Sequence, residues 1–439
     1  MKSPNPSPAE SMSRSLICSL ALGALLTTGC ASKSAWRQWG GPQRDFTVET
    51  VGLAQKWPDE GPTKLWSREL GDGYSSIVSN GHTLYTMYRG DDDHEVVVAL
   101  DAKSGKTRWE YKYPAPYIEF ETDEIDEETG KKKIEKQTTQ FGSGPNSTPL
   151  LVNNRLYTIG FTGKMKCLSA NSGKLIWSQD LYKDMNGSYL RFGYAASPIA
   201  YGKNVIALVG GVGNGVVAFD QKTGAVDWKS TDFDISYSSP ILIKVAGKDH
   251  LVAYMSEKLI GISPETGELH WSIGHKNRFG STICTPVWCP GNILYFVTGG
   301  DTAGGRAIRL DRTGYKVTAQ DVWSNKKLQG GLNNAVRIGN HLYGPAGGRK
   351  PFMVAFDTKT GKIAWRQRDL DKIKAIYADG KLILLDGDGH LMLATADADG
   401  LEIHSKAKLL EKEAWTTPTL VDTKLYLRDR KTIMAVDLG

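Results

Sequence analysis

The stretch Ala355–Trp365, A-F-D-T-K-T-G-K-I-A-W, reads as the end of one β-strand, a tight turn and the start of the returning strand. Asp357 can accept backbone N–H bonds across the turn, and Gly361 supplies the left-handed conformation a short hairpin loop needs. Trp365 is a large apolar anchor on the returning strand. What constrains the fold is that this stretch recurs.

Ala99-Leu100-Asp101 leads through Gly105 to Trp109, and Cys167-Leu168 through Gly173 to Trp177. Ala218-Phe219-Asp220 leads through Gly224 to Trp228, and Gly261-Ile262 through Gly267 to Trp271. Leu310-Asp311 leads through Gly314 to a displaced Trp323, and Asp397 to Gly400 is a degraded copy without Trp. After a first spacing of 68 residues, successive turn glycines lie 39 to 51 apart, the length of a four-stranded sheet with short turns. An eighth copy is split. The chain ends in Met434-Ala435-Val436-Asp437, the front half of the motif, and Lys64-Leu65-Trp66 supplies the back half. An array whose last unit is completed by its first strand is a closed ring without an exposed sheet edge.

A second series gives the same count. A pair of small residues, often followed by Pro, precedes each Leu-Tyr-type strand, as in Ser75-Ser76, Ser147-Thr148-Pro149, Ser197-Pro198, Ser238-Ser239-Pro240, Thr285-Pro286 and Thr416-Thr417-Pro418. Asn334-Ala335 and Lys374-Ala375 complete it. The expectation is an all-β chain over 63–439, an eight-bladed β-propeller of four-stranded antiparallel blades. Its innermost strand comes first, with small residues crowding the central channel. The long first spacing holds a charged insertion at about 119–140, readable as a charged hairpin or as a solvated loop.

Residues 1–29 read as an export signal. Lys2 and Arg14 precede an apolar stretch, Leu16 to Leu26, that is too short to span a bilayer as a helix. Gly29-Cys30 then resembles a lipobox, although Thr27 stands where Leu is usual. Cys30 is therefore a candidate lipidation site, with ordinary cleavage as the alternative. Residues 30–62 form an N-terminal segment, aromatic and turn-rich at Trp36-Arg37-Gln38-Trp39-Gly40-Gly41, expected to pack on the bottom or side of the domain. Cys284 and Cys289 either pair or sit as buried small apolar residues. Net charge is +6 and is spread along the chain, so no nucleic-acid footprint is present.

The pattern A-x-D-x-x-T-G-K-x-x-W resembles the PQQ-like β-propeller repeat, a superfamily that holds BamB-like proteins and quinoprotein alcohol dehydrogenases. The resemblance covers essentially all of 63–439. It implies the fold; activity has to be sought in a site. The family's dehydrogenases hold PQQ over calcium, with carboxylate and amide ligands, an Asp base and two adjacent cysteines. This chain has no adjacent Cys pair and no Asp/Glu/Asn cluster apart from its turns. It also lacks H-E-x-x-H, G-x-S-x-G, a P-loop and C-x-x-C. Asp91-Asp92-Asp93-His94 and Asp386-Gly387-Asp388-Gly389-His390 read as charged hairpin turns, and no metal site or catalytic residue is expected.

Residues that precede or belong to the small-residue series should meet at one mouth of the channel. They are Tyr74, Arg191, Phe192, Tyr194, Tyr237, Arg278, Phe279, Asn333, Asn334 and Trp415. Tyr and Arg suit a protein-binding face, although packing of neighbouring loops would use the same residues. The reading is an exported, non-catalytic scaffold on the periplasmic side of the outer membrane. It is anchored through Cys30 and docks an envelope protein or a small ligand on this face, without a cofactor. The alternative is a dehydrogenase of alcohols or sugars using PQQ with calcium.

Overall fold

The computed structural model describes residue 1 and residues 35–439, apart from 92, 276–279, 298–303, 315, 331–333, 348–351, 371 and 412. Cys30 and Arg278 lie outside the described residues. All described secondary structure belongs to the unit Lys33–Gly439 and is β-strand, turn or short loop.

Among the described residues the strands form seven sheets of four strands, one of five and a separate hairpin. Each larger sheet is an antiparallel meander of strands consecutive in sequence, apart from one that adds Thr47–Val48 of the N-terminal segment and one that takes Thr63–Glu69 from the start of the repeat region. The first is Val78–Ser79, Thr83–Asp91, His94–Asp101 and Thr107–Pro114. Burial falls across it. His94–Asp101 is buried over six consecutive residues, while Thr107–Pro114 is mostly exposed. Interior strands such as Lys381–Leu385 are buried throughout. They read as continuous apolar runs because neighbouring sheets cover both faces.

The motif positions explain one another in three dimensions. Asp357 Oδ1 accepts from the backbone N of Lys359 and Thr360, at 3.0 and 2.8 Å, and from Thr360 Oγ1 at 2.8 Å. Asp101 and Asp220 cap their turns in the same way. Gly361 closes the turn at φ 67°, donating to Asp357 O at 2.9 Å. The alanine that opens the motif stands directly opposite the tryptophan that ends it: Ala99 with Trp109, Ala218 with Trp228, Ala355 with Trp365. A β-bulge follows each of these pairs.

Each such tryptophan leans onto the turn of the next sheet. Trp109 Nε1 donates to Ala170 O at 2.9 Å, Trp177 Nε1 to Gln221 O at 3.2 Å and Trp323 Nε1 to Thr358 O at 2.9 Å. The acceptor is each time the residue after the turn's first position. The turn glycine lies under the ring, so a Cβ on Gly361 would come within 2.4 Å of Trp323. Trp66 docks likewise on the first sheet, donating to Ala102 O at 3.0 Å. Its strand, Thr63–Glu69, pairs antiparallel with Thr432–Asp437, so both ends of the repeat region share one sheet.

The structure departs from one sequence expectation and decides two that were left open. In the fifth sheet Trp323 faces Ala307, and the hairpin continues for several residues beyond. Asp311 and Gly314 therefore lie out along that extension, and Gly314 has no atom within 4 Å of a Cβ position. Trp271 Nε1 has no partner among the described residues, and neither has Trp228 Nε1. The insertion is a hairpin, Glu119–Ile125 with Lys132–Lys136, which settles the choice against an unstructured loop. Cys284 and Cys289 form no disulfide, and both are buried. The N-terminal segment does pack at one end of the sheets, and Thr47–Val48 adds a parallel strand beside Tyr377–Ala378.

Truncating an inter-sheet anchor should therefore cost heavily. Trp177→Ala should lose about 3–5 kcal/mol, read from the urea midpoint of tryptophan fluorescence. The turn caps should show in acid. The Asp101 carboxyl is drawn down to about 2 by Arg108 and then by Ser104. Its folded pKa lies below the unfolded value of about 3.9. The stabilisation is thus present above about pH 4 and is lost as the pH falls toward 2. Asp101→Asn should flatten that part of an acid-unfolding curve followed by circular dichroism.

Candidate functional site

The innermost strands begin around a common cavity of about 350 Å³. It is lined by Ser76, Ser197, Ser239, Asn334, Lys374 and Thr417, each at or just before the first strand of a different sheet. Small residues are needed there because many strands converge on one axis. Their polar groups also join the sheets. Ser197 Oγ accepts from Thr148 N at 3.0 Å, Ser239 Oγ from Ser197 N at 2.9 Å and Asn334 Oδ1 from Thr285 N at 2.6 Å.

Aromatic rings form the wall above this belt. Tyr74 and Trp415 stack at 5.4 Å with 17° between their planes. Phe192 lies 6.0 Å from Tyr237 and 5.1 Å from Phe141. Gly142 makes room for the stack, since a Cβ there would come within 2.6 Å of the Tyr74 ring. Tyr74 is further held by its hydroxyl, 3.3 Å from Glu413 Oε2. Arg430 bridges Glu413 and Asp72, at 3.2 and 2.5 Å, so this side of the wall is braced by charge. The Lys372 ammonium lies 4.9 Å from the Trp415 ring centroid. Burial pushes the Tyr237 phenol up to about 12, so it stays protonated at neutral pH.

Five of the ten residues singled out from sequence line this cavity: Tyr74, Phe192, Tyr237, Asn334 and Trp415. Two do not. Tyr194 is 1% exposed and donates to Leu208 O at 2.7 Å, a core role. Arg191 lies beside the insertion, 3.8 Å from Glu135 and over the Phe192 ring. The other three, Arg278, Phe279 and Asn333, lie outside the described residues. The sequence reading missed Trp39 and Lys374. Trp39 reaches the cavity from the N-terminal segment and donates to Thr285 Oγ1 at 3.0 Å. That segment meets the far ends of the first strands, where Ser79 N donates to Trp36 O, so Trp39 forms the floor opposite the aromatic mouth. Lys374 is 5% exposed. Its signal was present, as the one charged residue in a series of small ones.

The donor set does not suit a quinone held on calcium. Calcium takes six to eight oxygen ligands, carboxylates among them. Among the described residues the cavity lining contains no Asp or Glu, and no group of three or more His, Cys, Asp or Glu converges. Asp91 and Asp386 serve their hairpin turns, facing His94 and His390 at 2.7 and 3.0 Å. Two polar groups of the wall have no partner among the described residues: Ser76 Oγ and Trp415 Nε1. The site can stack a planar or apolar group and donate hydrogen bonds to it.

Thiol chemistry is closed off as well. Burial pushes the Cys289 thiol up to about 12. Cys284 and Cys289 should resist a thiol-reactive dye in the native protein and react fully in urea without added reductant.

The family of outer membrane protein assembly factor BamB matches residues 93–299 and 303–438. An outer membrane protein assembly factor BamB from Moranella endobia (strain PCIT) is 26% identical over 163 residues, 35% of this chain. The chain thus spans about a third of that relative, 35% of its length. The crystal structure of BamB from Moraxella catarrhalis superposes with a TM-score of 0.56 at 16% identity, covering 86% of this chain and all of that one. Quinohemoprotein alcohol dehydrogenase from Comamonas testosteroni superposes at 0.50 and 14% identity, covering 94% of this chain and 82% of the other. At these identities the likeness is one of fold, a β-propeller of PQQ-like repeats. The meander sheets, the tryptophan docking and the family match agree: this chain belongs to the outer membrane protein assembly factor BamB family.

Proposed function

We propose that this chain is a non-catalytic scaffold of the cell envelope. It docks an envelope protein on the mouth of its axial cavity. In this reading the sheets are eight blades of a closed ring, with the Thr63–Glu69 strand as its clasp. The chain is exported to the periplasmic side of the outer membrane and held there by a lipid on Cys30. The BamB relative named above carries "outer membrane protein assembly factor" as its description, which supports a part in assembly.

The observation that carries the reading is the Tyr74–Trp415 stack at the cavity mouth. Tyr and Trp supply large rigid contact area at small entropic cost and dominate binding energy at protein interfaces. Here they stand beside polar groups that have no partner among the described residues, with Trp39 at the other end of the cavity. An aromatic-walled recess of this size accepts a side chain or short segment of a partner.

Cross-linking in envelope fractions, followed by affinity capture, tests it. The double variant Tyr74→Ala, Trp415→Ala should retain a folded far-ultraviolet spectrum and lose at least about 30-fold in capture, as expected when hot-spot contacts of about 2 kcal/mol are removed. Undiminished capture would remove the mouth from the interface. Cys30→Ala should move the protein from the membrane pellet to the soluble fraction. Dye reduction that depends on added PQQ and calcium would overturn the non-catalytic reading.

A further inference from the structure

Two imidazoles on the fourth sheet have no part in the cavity. His250 lies in Lys248–Tyr254 and His270 in Leu269–Gly274. His250 pairs with Ile243, toward the end of the sheet away from the cavity-lining Ser239. The two Nδ1 atoms are 3.0 Å apart, with 74° between the rings. His250 is 1% exposed, and its Nε2 has no partner among the described residues. His270 is only partly buried and opens the pair to solvent.

The protonation state suits ligation. Burial is the largest cause holding both rings below the usual histidine range, and His250 is brought to about 4. Both shifts favour the neutral ring, the form that binds metals. Charges nearby act in both directions. Asp249 and Glu268 favour a cation, whereas Arg312 opposes one. Asp249 is itself engaged by Lys244 at 2.7 Å and Tyr201 at 3.2 Å.

The separation, an ordinary hydrogen-bond length, is also compatible with one coordination geometry. Metal–imidazole bonds are about 2.0–2.1 Å. Two such nitrogens lie about 2.9 Å apart at a right angle and about 3.3 Å apart at the tetrahedral angle. The observed 3.0 Å is close to the right-angle value. We propose that His250 and His270 are a cis pair of nitrogen ligands for a tetragonal divalent transition metal, Cu(II) foremost, with solvent filling the other positions. Among the described residues no third His, Cys, Asp or Glu joins them. To ligate, the ring that donates between the two Nδ1 atoms moves its proton to its own Nε2. Binding thus releases no net proton near neutral pH.

Cu(II) titrated into the untagged chain at pH 7.5 tests the assignment, by calorimetry and by electron paramagnetic resonance. One equivalent should show hyperfine coupling to two imidazole nitrogens. His270→Gln, at the partly exposed member, should weaken that equivalent at least 10-fold while leaving the circular dichroism unchanged. His250→Ala should do the same where it folds. Copper at other histidines would appear in wild type and variant alike and cancel in the comparison. Unchanged stoichiometry and affinity in His270→Gln, or a spectrum without paired nitrogens, would overturn the site and leave a plain imidazole–imidazole hydrogen bond.

Discussion

The tryptophan that crosses from one sheet to the turn of the next is the contact on which the rest depends. A single four-stranded meander cannot cover both faces of its inner strands. It becomes stable only when a neighbour is laid against it, and the indole sets the spacing and angle of that neighbour. The ring meets a glycine, and its N–H usually meets a carbonyl of the same turn. One side chain thus provides apolar area and a satisfied polar group at once. Opposite it, within its own sheet, an alanine or another small residue leaves space for the ring.

Regular stacking has a geometric consequence at the other side of the sheets. The first strands converge, and only small side chains fit where they meet. Their hydroxyls and one carboxamide pass hydrogen bonds from sheet to sheet. The cavity is what remains, and its character is set at its two ends. Loops between sheets bring Tyr74, Phe192, Tyr237 and Trp415 to the mouth, and the N-terminal segment brings Trp39 to the floor. Recognition in this molecule is thereby assigned to the connections, while the repeats hold them in place.

Much of the fold was legible because the repeat has a rigid local cause at each position. Asp, Gly and Trp each answer a requirement that can be read without tertiary knowledge. The fifth sheet departs where that logic is weakest. Asp311 and Gly314 carry the turn letters, yet the hairpin runs past them and Trp323 faces Ala307. Strand length there is set by pairing across the hairpin, which the letters do not encode. Tyr194 shows the same limit for the site. It belongs to the same sequence series as Tyr237, but its hydroxyl found Leu208 O and the side chain went into the core.

The sequence by itself determined the unit of construction, its repetition and the pairing of the two ends of the repeat region. These follow from turn chemistry and from the periodic placement of an anchor and the space for it. Tertiary structure alone decided which side chains share a cavity, because residues as far apart as Trp39 and Trp415 meet only through the packing of every sheet between them. It also decided the approach of His250 to His270, across a strand that lies between theirs. Spacing along a chain fixes local geometry, whereas a site is assembled by side-chain directions that packing chooses.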